Sequence, residues 1–218
     1  MANDDHRQNA YLFAKYLIRI GGLSLKIFSL KSVGMMGTAG VAVVIAIFMA
    51  GAGSQPSAVV SRSQLAAEGA FLHAMKLRQT LVVPPSNYTG GPMSQSIQSS
   101  MIRRAQNALS QAFTARLAAR ELSHVKNALH MQSHDSMIAL AGGIQGIHYH
   151  SIQVTSSTAT IHAFVSAWSK IAQIQTGGRR VSATPHNTLD VRATLTKTST
   201  GQWQVSQLAW HFTPQTAP

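Results

Sequence analysis

The sequence predicts an α+β protein: an N-terminal membrane helix, then a long helix packed on a curved four-stranded antiparallel sheet. Three observations predict it. An uncharged apolar run long enough to cross a bilayer lies near the N-terminus. From Ser94 to about Met131 no residue breaks a helix, and apolar residues recur at helical spacing. Toward the C-terminus the period changes to two, with turn residues between the runs.

The first element is the anchor. No charged residue occurs from Ser32 to Ser61, and the run from Val33 to Gly53 is rich in the Gly and Ala common in membrane helices. Arg7, Lys15, Arg19, Lys26 and Lys31 precede it, against Asp4 and Asp5. The positive-inside tendency then keeps the N-terminus cytoplasmic and exports the rest. Ala50-Gly51-Ala52 is also a candidate signal-peptidase site, so a cleaved segment is the competing expectation. Within residues 11–31, Lys15, Arg19 and Lys26 form one cationic stripe on an otherwise apolar helix. That pattern suits a helix lying in the interface against anionic lipid. A partner-binding helix and a first membrane helix of a hairpin are the alternatives.

The expected organisation is a cytoplasmic basic segment (1–32), a transmembrane helix (33–53), a connector with a helix (54–92) and an exported domain (93–214). In the connector, Leu65, Leu72 and Met75 mark one side of a helix, and Pro84, Pro85, Gly90, Gly91 and Pro92 break the chain. The long helix shows one stripe, Ile102, Ala105, Leu109, Phe113 and Leu117. A second, Leu122, Val125 and Leu129, is out of phase with it, which predicts a kink or break near Arg120. Three alternating runs follow, GIHYHSIQV, TATIHAFVSAWSKIAQI and TLDVRATLTKT. TGGRRVSATP reads as turn and strand entry, and TSTG as a hairpin turn.

The closing strand, GQWQVSQLAWHF, changes phase. Trp203 and Val205 are odd-numbered, whereas Leu208, Trp210 and Phe212 are even-numbered. A β-bulge at Ser206-Gln207 would keep both sets on one face. The motif Gly201-x-Trp203-x-Val205-(x)₂-Leu208-x-Trp210, after a long helix and a meander, resembles the cystatin-like roll of the nuclear-transport-factor superfamily. With one membrane helix in front, the chain is similar to TcpC-type conjugation proteins and to the single-pass periplasmic-domain component of type IV secretion systems. The resemblance implies a scaffold of a bacterial transfer apparatus with no catalytic residue. Its partners would be other transfer-apparatus proteins, further copies of itself, and lipid through 33–53 and 11–31. The alternative is an anchored roll that binds an apolar small molecule or cell-envelope component.

Composition narrows the chemistry. The formal net charge is +12, and only six acids occur in 218 residues. Paired carboxylates for acid–base work are therefore scarce. No cysteine is present, which excludes thiol nucleophiles, thiolate metal sites and disulfides. Isomerases of the superfamily use an Asp or Glu base inside the roll. Asp190 alternates with Leu189 and Val191 and so is expected to face outward or toward the rim, while Asp135 sits at the helix-to-sheet junction. His130/His134 and His148/His150 have ligand-like spacing, but acids to complete a site are few, so no metal or cofactor is expected. Gly142-Gly143 and Gly177-Gly178 read as turns. Arg103, Arg104, Arg179 and Arg180 are the candidate anion contacts. No aromatic residue interleaves with the cations, so DNA is the weakest of the partner expectations.

Overall fold

The computed structural model describes residues 61–88, 91–134, 137–174 and 180–213; the expected membrane helix and basic segment lie outside them. Among the described residues no helix is long and apolar enough to cross a membrane. The architecture is α+β, with three helices and an antiparallel sheet.

Helix α1 spans Arg62–Thr80 and starts where the Ser61 side chain accepts a hydrogen bond from the Gln64 amide at 3.1 Å. It buries Ala67, Phe71, Ala74 and Met75, whereas Leu65 is exposed. The stretch that the sequence reads as a connector thus shares one apolar core with the strands. Helix α2 spans Gln95–Ala112 and is capped by Ser94. Helix α3 spans Ala115–His134.

The helical stretch breaks at Phe113-Thr114, not near Arg120. Phe113 turns extended (φ −127°, ψ 149°) and bridges Val205 of the last strand, and the Thr114 amide donates to the Val205 carbonyl at 3.0 Å. Pairing with a sheet edge and burying the Phe113 ring outweigh helix continuation there. The two non-helical residues also shift the apolar stripe.

The strands are β1 (Met137–Val154), β2 (Thr158–Ile174), β3 (Arg180–Ala183), β4 (His186–Lys197) and β5 (Trp203–Phe212). The sheet order is β1-β2-β4-β5, with β3 also paired to β2. β3 and β4 lie along the same side of β2, in register from Ile174↔Arg180 to Thr158↔Thr196. Thr184-Pro185 interrupts this return strand, since proline has no amide to donate to a ladder. The sheet thus has five strands where four were expected, because the return path beside β2 is split into β3 and β4.

β1 begins well before the alternating run and carries three bulges, at Leu140, Gln145 and His150. Each adds a residue, bends the strand and resets its inward face. Gly142 and Gly143 are not a turn; they lie inside β1. A Cβ on Gly142 would stand 2.7 Å from the Gln79 carbonyl oxygen, so this glycine lets the end of α1 approach the sheet.

The ladder between β4 and β5 skips Ser206, placing the bulge where the phase changes. Ser206 Oγ donates to the Thr194 carbonyl at 3.1 Å. Trp203, Val205 and Leu208 are buried, and Trp210 and Phe212 pack against the same core. Gly201 has φ +85°, the left-handed conformation that the turn before β5 requires. The free edge of β5 is covered by the α2–α3 junction. There Gln204 Nε2 donates to Ser110 and Gln111 carbonyls, and Arg120 donates to the Leu208 carbonyl.

Candidate ligand-binding chamber

The sheet's concave face carries small residues beside large ones. Ala139 and Ala141 of β1 and Ala167 of β2 stand together on it, beside α3. Short side chains there leave a partly open chamber of about 110 Å³. Leu109, Val125, Leu189, Trp210 and Phe212 supply its apolar walls. At one end the lining turns polar with Arg78, Glu121 and His124.

Glu121 is 4% exposed, on the apolar stripe of α3 between Leu117 and Val125. It is held by Arg78 of α1, whose Nε donates to Oε2 at 2.8 Å. Arg120 Nη2 lies 3.4 Å from Oε1. Burial pushes the Glu121 pKa up, but the His124 imidazole and the Arg78 guanidinium outweigh it and lower it to about 2. His124 Nδ1 is 3.6 Å from Oε2, too long for a hydrogen bond, so Arg78 is the stronger holder. Arg78 also lies over the Trp210 ring at 5.2 Å. The polar end is thus a fixed stack of Trp210, Arg78 and Glu121, with Glu121 ionised at neutral pH.

At the opposite side, buried Gln132 ties three segments together. Its Nε2 donates to the Val82 carbonyl at 2.8 Å, and its Oε1 accepts from the Ala139 amide at 2.9 Å. The Tyr88 hydroxyl lies within hydrogen-bond reach of the Gln132 carbonyl, and burial raises its pKa.

The sequence reading missed Glu121 and Gln132. A signal existed for Glu121: it recurs four residues after Leu117 and four before Val125, a carboxylate inside an apolar stripe. Of the closing-strand residues, Trp210 and Phe212 reach the chamber, while Trp203, Val205 and Leu208 fill the core beside it. Arg103 and Arg104 are exposed on α2, and Arg104 donates to the Val83 carbonyl at 3.3 Å. Arg180 opens β3; Arg179 and Asp135 lie outside the described residues. Asp190 faces outward, hydrogen-bonded to His162 Nε2 at 2.8 Å with His211 Nε2 at 3.5 Å. His130 and His134 rings stack at 4.2 Å, and His148 and His150 are exposed. Among the described residues no group of three His, Asp or Glu could hold a metal ion.

With this geometry in hand, the chain can be set beside known proteins. No family model and no curated protein matches it. Three solved structures show remote likeness. The intermembrane space region of the chloroplast protein ARC6 is 9% identical over 56% of this chain and 100% of its own, with a TM-score of 0.37. An Ntf2-like protein involved in plasmid conjugation is 7% identical over 68% of this chain and 51% of its own, with a TM-score of 0.33. A protein of Catenulispora acidiphila is 11% identical over 54% of this chain and 85% of its own, with a TM-score of 0.31. This chain therefore spans about half the length of the conjugation protein. Likeness this remote assigns no chemistry.

Proposed function

We propose that the described domain is a cystatin-like roll that binds one small, largely apolar molecule in the chamber and performs no chemistry on it. The alanine-lined chamber with a fixed polar end carries this reading. Its volume is of the order that holds a single small aromatic ring. The Arg78–Glu121 pair would orient a ligand through one donor group, such as a hydroxyl directed at the carboxylate. A carboxylate held ionised with a pKa of about 2 is a poor general base near neutrality, which supports binding over catalysis. In the same reading, 33–53 anchors the protein in a membrane and residues 11–31 lie on anionic lipid.

Phenol is a suitable probe, having one ring and one donor. Phenol binding to the full chain in detergent is read by saturation-transfer NMR. Binding in the millimolar range that Ala167→Leu abolishes while the fold is kept is the expected result. Equal binding by the Ala167→Leu variant overturns the reading.

A scaffold role in a bacterial transfer apparatus is the second reading. It is supported by the closing-strand motif Gly201 to Trp210 and by the excess of basic side chains on the domain surface. Co-purification of channel proteins with the full chain, and loss of transfer on its deletion, are the expected outcomes. Normal transfer in the deletion strain rules this role out.

A further inference from the structure

A second concavity shares no lining residue with the chamber. It is a groove of about 710 Å³ lined by α3 and by residues of β2, β4 and β5. Arg116 and Arg120, one helical turn apart on α3, flank it on one side. Arg192 rises from β4 within it. Thr160, Thr194 and Gln207 cross its floor as one row, paired Thr160↔Thr194 and Thr194↔Gln207. The bulge at Ser206 sits at its edge, so the irregularity that turns Trp210 inward also shapes this groove.

Two of the three guanidiniums here are not neutralised among the described residues. Only three acids occur among the described residues, Glu68, Glu121 and Asp190, and none lines the groove. Glu121 is shared between Arg78 and Arg120. Asp190 is engaged by His162 and His211. Glu68 accepts from Gln64 at 2.9 Å. Arg116 and Arg192 have no ion-pair partner among the described residues. Arg120 is pre-set by its bond to the Leu208 carbonyl at 3.1 Å. Guanidiniums converging from two sides match a phosphate group, whose several oxygens accept forked donors. The remaining lining is hydroxyl and amide from Thr160, Thr194, Ser206 and Gln207 and aliphatic from Leu117, Ala193, Leu208 and Ala209, with no aromatic side chain to stack on a base. A groove of this size takes a molecule larger than the phosphate alone.

We propose that this groove binds a phosphate ester of a polyol through Arg116, Arg120 and Arg192, with Thr160, Thr194 and Gln207 meeting the polyol hydroxyls. This site is independent of the chamber and stands whether or not the chamber binds phenol. The same chemistry comes from a free sugar phosphate or from a polymer of polyol phosphates.

Calorimetric titration of the full chain in a polyoxyethylene detergent tests it. Glycerol 3-phosphate and poly(glycerol phosphate) are the two ligand arms, and glycerol is the blank. Saturable binding of either ligand, weakening as salt rises, is expected. Binding of the polymer alone identifies the polymer as the source; binding of the monomer identifies the free ester. Arg116→Gln with Arg192→Gln should lower affinity by about tenfold or more. The exposed pair Lys76→Gln with Lys126→Gln, which removes equal charge outside the groove, should change it less than about twofold. Equal loss in both double variants overturns the proposal, as does absence of saturable binding. Should the groove variant fail to fold, phenylglyoxal modification of the wild-type chain decides. The better-bound ligand must protect Arg116 and Arg192, and unprotected arginines overturn the assignment.

Discussion

The two faces of the sheet come from the same strands and use charge in opposite ways. On the concave side, Ile161, Ala163 and Val165 of β2 meet Val191, Ala193 and Leu195 of β4, all buried. Glu121, buried on this side, is matched to Arg78 at 2.8 Å. On the outer side, Thr160, His162 and Arg192 occupy the intervening positions, and Arg192 is exposed with no ion-pair partner among the described residues. Burial explains the contrast. An ion inside must be paired, whereas an exposed guanidinium is stable alone and free to meet an anion.

Deleting Ser206 attacks this division most directly. Without the bulge, Leu208, Trp210 and Phe212 would swap faces with Gln207, Ala209 and His211. Exposing three large apolar side chains costs roughly 1.5–3 kcal/mol each, enough to unfold a domain of ordinary stability. Circular dichroism of the deletion variant checks it; a native melting curve would show that the bulge does not set the faces.

Trp203→Ala tests the inner face alone. The ring is 7% exposed with Lys197 Nζ over it at 5.6 Å. A loss of about 3–5 kcal/mol in denaturant unfolding is expected. An unchanged midpoint would instead make Trp203 a surface contact.

Glu121→Gln tests the paired charge. The folded pKa of about 2 lies below the ordinary 4.5, so folding favours the ionised form. The pair's contribution is complete above about 4.5 and is lost as pH falls toward 2. Its size is about 3 kcal/mol. Wild-type stability should therefore fall across that window, while the variant is less stable near neutrality and flatter in acid. Parallel pH profiles of unfolding free energy would refute the pairing.

Arg192→Gln should produce the smallest effect, within about 0.5 kcal/mol, because the side chain is exposed and unpaired. A larger drop in melting temperature would mean that the outer face also relies on its charges for folding.

Parts of this molecule are legible residue by residue. The alternation in Thr158–Ile174 and His186–Lys197 announces two faces without any knowledge of partners. The slip between Val205 and Leu208 announces a bulge, because a strand that keeps its apolar side inward must gain one residue there. Other parts are illegible for a definite reason. Phe113 fits the helical stripe, and only the edge of β5, reached by a chain segment far along the sequence, draws it out of the helix. The bulges of β1 are hidden because an extra residue blurs alternation instead of marking it.

By itself the sequence determined the α+β class, the meander and the Gly201 turn, since each rests on neighbouring residues or a short period. Tertiary structure alone decided the break at Phe113, the place of α1 in the core and the burial of Glu121. Arg78 and Glu121 are 43 residues apart, and no local pattern records which guanidinium a lone carboxylate will meet. Packing brings them together because a carboxylate enters an apolar stripe only where a partner offsets the loss of water.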